Sequence, residues 1–199
     1  MRALPLIALV LTIAGFDSAQ AAVIPGPALD QADSGHTVSG LDFNALQNSI
    51  LTSFTFQNQG KADTVVLTDS VGNILHSIST PALTPSYTAN INWSLTGGNK
   101  YFLLQTTDSN SMFANFNSPL PSDADIAIAI SWIFDDSIAS AVTENCCSGI
   151  RNLYWAAFND VTTNETPLPG ALPLFSSGLV ALGLLGLRKK RPRHTALAG

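Results

Sequence analysis

Histidine and carboxylate side chains are the groups of this sequence that could carry acid–base or metal chemistry. The three histidines, His36, His76 and His194, lie far apart, and none has a His, Cys or paired carboxylate at metal-ligand spacing. His76 falls within a strand pattern, which favours a solvent-facing strand residue over a catalytic base. No Gly-x-Ser-x-Gly element is present, and the serines define no Ser–His–Asp set by spacing. The sequence therefore predicts no catalytic residue, no metal site and no cofactor.

Two groups of acidic residues resemble parts of a calcium site. Asp123 and Asp125 flank one alanine, and Asp135 and Asp136 end a long strand-like segment. Carboxylates on a surface loop can bind Ca²⁺, but no complete twelve-residue calcium loop is present. We therefore interpret these residues as solvated turn residues that end a strand. The same interpretation applies to segment 69–73, whose sequence Asp-Ser-Val-Gly-Asn is typical of a tight turn.

Cys146 and Cys147 are the only cysteines, and they are adjacent. Neighbouring Cα atoms are about 3.8 Å apart across a trans peptide, which is shorter than in ordinary disulfides. A bond between these two residues would be strained and easily reduced, in a compartment that otherwise favours disulfides. We predict this strained bond as a local lock on the loop 145–149. Free thiols, a bridge to a partner chain and metal capture remain alternatives.

The first residues have the organisation of a secretory signal peptide. Arg2 precedes an apolar stretch at residues 4–13, and Ala19 and Ala21 form the small-residue cleavage pattern. The apolar stretch is too short to span a bilayer, which favours a cleaved signal over an uncleaved anchor. We predict that signal peptidase removes residues 1–21.

The last residues combine prolines, an apolar segment and a basic cluster. Residues 168–187 carry no charge, and a helix of about 20 residues spans about 30 Å, the thickness of the hydrocarbon core of a bilayer. A basic cluster after such a segment stays on the cytoplasmic side. The pattern predicts a C-terminal transmembrane helix at 168–187 with a basic stop at 188–193, formed by Arg188, Lys189, Lys190, Arg191 and Arg193. The alternative is a buried core helix followed by a solvated basic tail.

Both ends predict the same topology, in which residues 22–165 form an exported body. This body carries three cations and thirteen acidic residues, a net charge of −10, whereas the whole chain carries −5. Such a body would repel nucleic acid and anionic lipid surfaces. We therefore expect no nucleic-acid partner.

The exported body alternates apolar and polar residues with the period of a β-strand. The clearest strand is 126–134, with its large apolar residues on one face. Segments 64–67 and 73–78 flank a tight turn as a predicted hairpin, and segment 101–106 follows the turn at Gly97 and Gly98 in the same manner. Further predicted strands contain Phe54 and Phe56, residues 89–93, and residues 153–157 before a polar hinge at 162–166.

About eight short strands separated by Gly, Pro, Asn and Asp turns predict an all-β fold, a single antiparallel β-sandwich with a jelly-roll-like order. Helix is expected only near 41–52 and in the C-terminal tail. We predict the sandwich at residues 50–162, after a partly extended lead-in at residues 22–49.

The end of the chain resembles the C-terminal sorting signal of PEP-CTERM proteins, the exosortase substrates of Gram-negative bacteria. The resemblance covers about residues 166–193 within the predicted segment 163–193, and its motif is Pro167, Leu168 and Pro169 before the apolar span and basic stop. Leucine occupies the middle position of the usual Pro-Glu-Pro motif, which is closer to the Val-Pro-Leu-Pro-Ala variant.

The resemblance implies recognition by an exosortase in the inner membrane and cleavage near Pro167–Pro169. The body would then be released or transferred to the cell envelope, the cell surface or the extracellular space. Members of the family are associated with exopolysaccharide and biofilm. This association describes PEP-CTERM proteins as a class and not the β domain of this chain, because the motif covers only the end of the chain.

Two functions are compatible with these features, and we expect neither to be enzymatic. The first is a structural or adhesive component of the cell surface or extracellular matrix. The second is a carbohydrate-binding module, which would need Trp93, Trp132 or Trp155 exposed on a sheet face to stack on sugar rings. A hydrolase is the least favoured alternative, because it requires a cleft that joins His76 to a carboxylate or a serine.

Overall fold

The computed structural model describes residues 21–32, 35–82, 86–107, 112–115, 119–143 and 154–165. The chain divides into two units, Met1–Thr166 and Pro167–Gly199, and the second lies outside the described residues. Every strand pairing in the described part is antiparallel. The all-β prediction is therefore confirmed for these residues.

The described residues form twelve strands and one short helix, α1 (Ile138–Thr143). The strands are β1 (Ala21–Pro25), β2 (Gln31–Ala32), β3 (Val38–Ala45), β4 (Ser49–Phe56), β5 (Asp63–Asp69), β6 (Ile74–Thr80), β7 (Tyr87–Leu95), β8 (Lys100–Gln105), β9 (Met112–Asn115), β10 (Ile126–Asp135), β11 (Tyr154–Ala156) and β12 (Phe158–Glu165).

Two larger sheets share one apolar core. The four-stranded sheet has the order β1-β12-β4-β7, the five-stranded sheet has the order β10-β3-β8-β5-β6, and a small third sheet has the order β11-β9-β2. The shared core contains Phe54 and Val161 from the four-stranded sheet, Phe43 and Leu103 from the five-stranded sheet, and Trp155 from the small one. Burial of these faces against each other gives the fold its sandwich-like character.

A second apolar cluster lies on the other face of the five-stranded sheet. Val66, Phe102 and Ile133 of the sheet pack there with Ala141 and Val142 of α1. The helix begins after Ser137, whose Oγ accepts a hydrogen bond from the backbone N–H of Ser140 at 3.2 Å, as an N-cap residue does. The sequence reasoning missed this helix because six residues are too few to show a helical period.

The predicted helix near 41–52 is wrong, because these residues form the second part of β3, the first half of β4 and the connection between them. Leu41, Phe43 and Ala45 alternate along β3 and all point into the shared core. The predicted lead-in is also corrected: residues 38–45 are the second strand of the five-stranded sheet, so the sheets begin at residue 21 rather than at residue 50.

The predicted polar hinge at 162–166 is largely part of a strand, because β12 continues to Glu165. The strand predicted at 153–157 is the short β11, and the final strand follows it directly. Ala157 separates the two with a φ of 61°. Its N–H donates to the carbonyl of Met112, and its own carbonyl accepts from the N–H of Gln57.

The strand pattern of β10 holds for only part of its length. Ile126 and Ile128 lie in the shared core, but Ile130 and Ile133 belong to the cluster under α1. The register with β3 shifts between Ile128 and Ile130 and again between Ile130 and Ile133. Each irregularity changes which side chains face the core.

One of the two predicted hairpins is confirmed. Strands β5 and β6 pair across the turn at 69–73, where Asp69 Oδ1 accepts from the N–H groups of Val71 (3.0 Å) and Asn73 (2.9 Å), and Gly72 has a φ of 87°. The turn at Gly97 and Gly98 does not close a hairpin, because it leads from β7 in the four-stranded sheet to β8 in the five-stranded sheet.

Candidate functional site

Most of the predicted site residues lie outside the described residues. These are Ala19, the two cysteines Cys146 and Cys147, the motif Pro167, Leu168 and Pro169, and the basic stop from Arg188 to Arg193. Ala21 is described, and it is the first residue of β1. In the part of the chain that the structure describes, no helix is long and apolar enough to cross a membrane; the predicted span 168–187 lies beyond that part.

The pairing of β1 with β12 brings the two ends of the described chain together. Ala21 lies opposite Asn164, and Ala22 lies opposite Thr163. Neighbouring strands in a sheet are about 4.8 Å apart. The predicted signal-cleavage point after Ala21 therefore lies beside the end of β12, and β12 stops two residues before Pro167.

Three connections lie at this same end of the two larger sheets, which we call the terminal end. They are the β3–β4 connection (46–48), the β5–β6 turn (70–73) and the β7–β8 turn (96–99). The register of the sheets places them together, because Ser49 lies opposite both Glu165 and Leu95, and Tyr101 lies opposite Asp69. The first and third connections also contact each other, since the N–H of Gly97 donates to Asn48 Oδ1 at 2.9 Å.

Asp125 joins the strands that meet at the terminal end. It is 1% exposed, and its Oδ1 accepts from Gln47 Nε2 at 2.7 Å while its Oδ2 accepts from Thr163 Oγ1 at 2.8 Å. The carboxylate thus connects the start of β10 to the β3–β4 connection and to the end of β12. The prediction of a solvated residue is wrong for Asp125, which is buried and precedes a strand.

Asp123 is a turn residue, as the sequence predicts. Its Oδ1 accepts from the N–H groups of Asp125 (2.7 Å) and Ile126 (2.8 Å), which fixes the entry into β10. Asp135 behaves similarly at the other end of β10, where its Oδ1 accepts from the N–H of Asp136. Within the described ranges, no three His, Cys, Asp or Glu side chains come together in a way that could hold a metal ion.

Asp42 and Lys100 form an ion pair that the sequence reasoning missed. The carboxylate of Asp42 is completely buried, and Lys100 Nζ contacts its Oδ2 while lying 4.8 Å from the ring centre of Phe102. Such a pair holds two neighbouring strands in register, because removal of Lys100 would leave the buried carboxylate of Asp42 without its counter-charge. The signal was available in the alternation Leu-Asp-Phe at 41–43, which directs Asp42 away from the shared core once the segment is assigned to a strand.

Asp63 is a second buried carboxylate, at the end of the sheets opposite the terminal end. Its Oδ2 accepts from Asn58 Nδ2 at 2.7 Å, and its Oδ1 accepts from the N–H groups of Thr64 and Thr107. Burial raises the pKa of Asp63 above its ordinary value of 3.8, and the hydrogen bonds oppose this shift without cancelling it. The folded state therefore binds a proton at Asp63 more tightly than the unfolded state does.

This pKa shift predicts the pH dependence of stability. A carboxyl group whose pKa is raised by folding contributes stability below its ordinary pKa, and that contribution is lost as the pH rises through the folded-state pKa. We expect the free energy of unfolding of the unmodified chain minus that of Asp63→Asn to decrease as the pH rises from about 3. Urea titration of both proteins at each pH measures this difference. A difference that stays constant or increases with pH would contradict the assignment.

Asp69→Asn is the matched control for this experiment. Hydrogen bonding from the Asn73 side chain lowers the pKa of Asp69, so its contribution is present above the ordinary pKa and is lost as the pH falls. The free-energy difference between the unmodified chain and Asp63→Asn should therefore fall with rising pH, whereas the difference between the unmodified chain and Asp69→Asn should rise.

His76 and the three tryptophans pack against other side chains of the sandwich. The ring of His76 stacks on Trp93, with ring centres 5.3 Å apart and an angle of 7° between the planes, which joins the edge strands β6 and β7. His76 is thus half-buried between the sheets and does not face solvent as predicted. Trp93 and Trp155 are 8% and 0% exposed, and Trp132 packs edge-on against Phe134.

No protein-family model matches the chain, and a search of curated proteins gives no significant match. The function is therefore argued from the residues of this chain and their arrangement.

Proposed function

We propose that this chain is an exported, exosortase-processed protein of the cell surface or extracellular matrix, with a structural or adhesive role linked to exopolysaccharide or biofilm. The signal peptide directs residues 22–165 across the inner membrane, and the helix 168–187 holds them there until an exosortase cleaves near Pro167–Pro169. The processed body then passes to the cell envelope or the extracellular space.

The observation that carries this proposal is the pairing of β1 with β12. Until the signal peptide is removed, both ends of the body lead into one membrane, and a domain with both ends on the same side needs no extra chain to reach it. Ala22 lies opposite Thr163, so the two ends of the body leave together. Had β1 run parallel to β12, its start would lie about 26 Å away, the length of an eight-residue strand. Extra chain would then have to run back along the domain.

The strand order supports the finer fold that we propose, a jelly-roll-like β-sandwich. Consecutive strands cross between the larger sheets, since β3 and β8 belong to the five-stranded sheet whereas β4 and β7 belong to the four-stranded sheet. Repeated crossing of this kind is a feature of Greek-key and jelly-roll sandwiches.

A structural role is favoured over an enzymatic one by how the buried polar groups are used. The carboxylates of Asp42, Asp63 and Asp125 are each bound by partners from other strands or loops, and each holds elements of the sandwich together. The carbohydrate-binding alternative receives no support from the tryptophans, because Trp93 and Trp155 are buried and the half-buried Trp132 packs edge-on against Phe134. Affinity electrophoresis in gels that contain extracellular polysaccharide separates the two functions, since a binding module would be retarded.

The direct test of processing replaces Pro167 and Pro169 by alanine in the full chain. We expect mass spectrometry of the unmodified protein to show an N-terminus at Ala22 and loss of the C-terminal segment. The variant should keep residues up to Gly199 and remain in the membrane fraction, because the cleavage motif is gone. Full-length C-termini in every fraction of the unmodified protein would contradict the proposal.

The chain supplies a matched control for this experiment. A second Pro-Leu-Pro sequence occurs at 119–121, and no long apolar span follows it. Replacement of Pro119 and Pro121 by alanine removes the same residue types elsewhere, so it should leave C-terminal processing unchanged.

A further inference from the structure

We propose that the terminal end of the sandwich is a membrane-contact surface, which lies against the lipid headgroups while the chain is anchored. This inference rests on the proposed function, because it requires the helix 168–187 to enter the bilayer. It adds an orientation and names the side chains that touch lipid.

Exposed apolar side chains are concentrated at the terminal end. Five large apolar residues of the described part are exposed, and four of them lie in or directly after its connections. Leu46 (53% exposed) is in the β3–β4 connection, Val71 (73%) is in the β5–β6 turn, and Ile74 (56%) and Leu75 (44%) begin β6. The fifth, Val23 (57%), is two residues from the start of β1. Apolar side chains at the tip of a domain fit the boundary between headgroups and acyl chains.

Charge at the terminal end limits the kind of lipid that this end can contact. The carboxylate of Asp125 is buried, but hydrogen bonding from the Asn73 side chain lowers the pKa of Asp69, which therefore stays ionised at neutral pH. Asp123 and Glu165 are further acidic residues at this end. Because anionic lipid repels carboxylates, we expect the exposed apolar side chains to lie against zwitterionic headgroups.

The length of chain beyond the sandwich limits how far the terminal end can lie from the bilayer. The last strand stops at Glu165, and the predicted span starts at Leu168. Three residue steps cover at most about 10 Å of extended chain. The polar region on each side of the hydrocarbon core is itself about 5–8 Å thick. A tether this short brings the terminal end to the headgroups.

Site-specific fluorescence in vesicles tests the orientation. The full chain, with Cys146 and Cys147 replaced by serine, would carry one cysteine at a time in place of Val71, Leu46 or Ala62, labelled with an environment-sensitive dye. In vesicles of zwitterionic phosphatidylcholine and phosphatidylethanolamine we expect blue-shifted emission and several-fold weaker quenching by aqueous iodide at positions 71 and 46. Ala62 is exposed and directly precedes β5 at the opposite end, so position 62 is the matched control and should be quenched freely.

The outcomes separate the inference from the function on which it rests. A chain that floats with the vesicles but is quenched equally at positions 71, 46 and 62 overturns the membrane-contact surface alone. Protection that increases with the protein-to-lipid ratio assigns the surface to a second copy of the chain and also overturns it. A chain that does not float with the vesicles overturns the membrane anchor of the proposed function, and the contact surface with it.

Discussion

Gly40→Ala is expected to lower the free energy of unfolding by about 3 kcal/mol or more, enough to prevent folding of a marginally stable domain. A Cβ atom at this position would lie 2.1 Å from the carbonyl oxygen of Leu103 and 3.0 Å from the Cα of Leu104. Both atoms belong to the backbone of β8, and β8 is fixed between β3 and β5. Neither strand can move aside without breaking its other ladder. Urea unfolding followed by tryptophan fluorescence would measure the loss.

Gly98→Ala is the matched control, because it adds the same methyl group in a different setting. A Cβ atom at Gly98 meets nothing within 4 Å, but the residue has a φ of 84°, so only backbone strain opposes the substitution. We expect a loss of about 1–2 kcal/mol from this strain. Equal losses for the two variants would show that the close approach of β8 is not what requires glycine at position 40.

Asp125→Ala is expected to lower the free energy of unfolding by about 2–4 kcal/mol, because it leaves one buried donor and one half-buried donor without an acceptor. The donors are Gln47 Nε2 and Thr163 Oγ1, which bind the two carboxylate oxygens. The end of β12 should loosen most, since Thr163 loses its side-chain contact to the other sheet. Hydrogen exchange of the backbone N–H groups at 162–164 should therefore accelerate more than exchange in β5.

Two further variants test the origin of this effect. Asp125→Asn keeps one acceptor oxygen and should lose less stability than Asp125→Ala. Asp135→Ala removes a half-exposed carboxylate that accepts from one backbone N–H, and should change stability by less than about 1 kcal/mol. A loss at Asp125→Ala no larger than that at Asp135→Ala would contradict the role of Asp125 in joining the sheets.

The sequence predicts those parts of the fold whose partners are close along the chain. The β5–β6 hairpin is an example, because Asp69, Gly72 and Asn73 define the turn and the apolar alternation of each strand defines its inward face. The inward-facing apolar residues of β4 and β7, near Phe54 and Trp93, could also be predicted. Their alternation with a period of two residues is a local property of the sequence.

Segment 41–52 shows why other parts could not be predicted. Phe43, Leu46 and Ile50 recur at i, i+3 and i+7 and are compatible with one helical face, while Leu41, Phe43 and Ala45 are compatible with one strand face. The choice between them depends on distant residues. Pairing with β8 and β10 supplies the ladder hydrogen bonds on both sides of β3, and Lys100 neutralises the buried carboxylate of Asp42.

The candidate site depends even more on distant pairing. The motif residues, the signal-cleavage pattern and the basic stop could be named from local sequence, but nothing local to Ala21 indicates that Asn164 lies beside it. The contact between Asp125 and Thr163 likewise joins residues from different sheets. Sequence reasoning treated Asp125 as a solvated turn residue because burial is set by the strands that cover a residue, not by its immediate neighbours.

The position of the last strand has a consequence for biogenesis. β12 ends at Glu165 but lies inside its sheet, between β1 and β4. In the described sheets β1 pairs with β12 alone, so β1 cannot join its sheet until the last strand has been synthesised. If the chain is exported as we propose, the export machinery meets an incomplete sheet, with an open gap where β12 belongs. We then expect the domain to cross the membrane unfolded and to close its sheet on the far side, once the residues ahead of the proposed anchor have emerged.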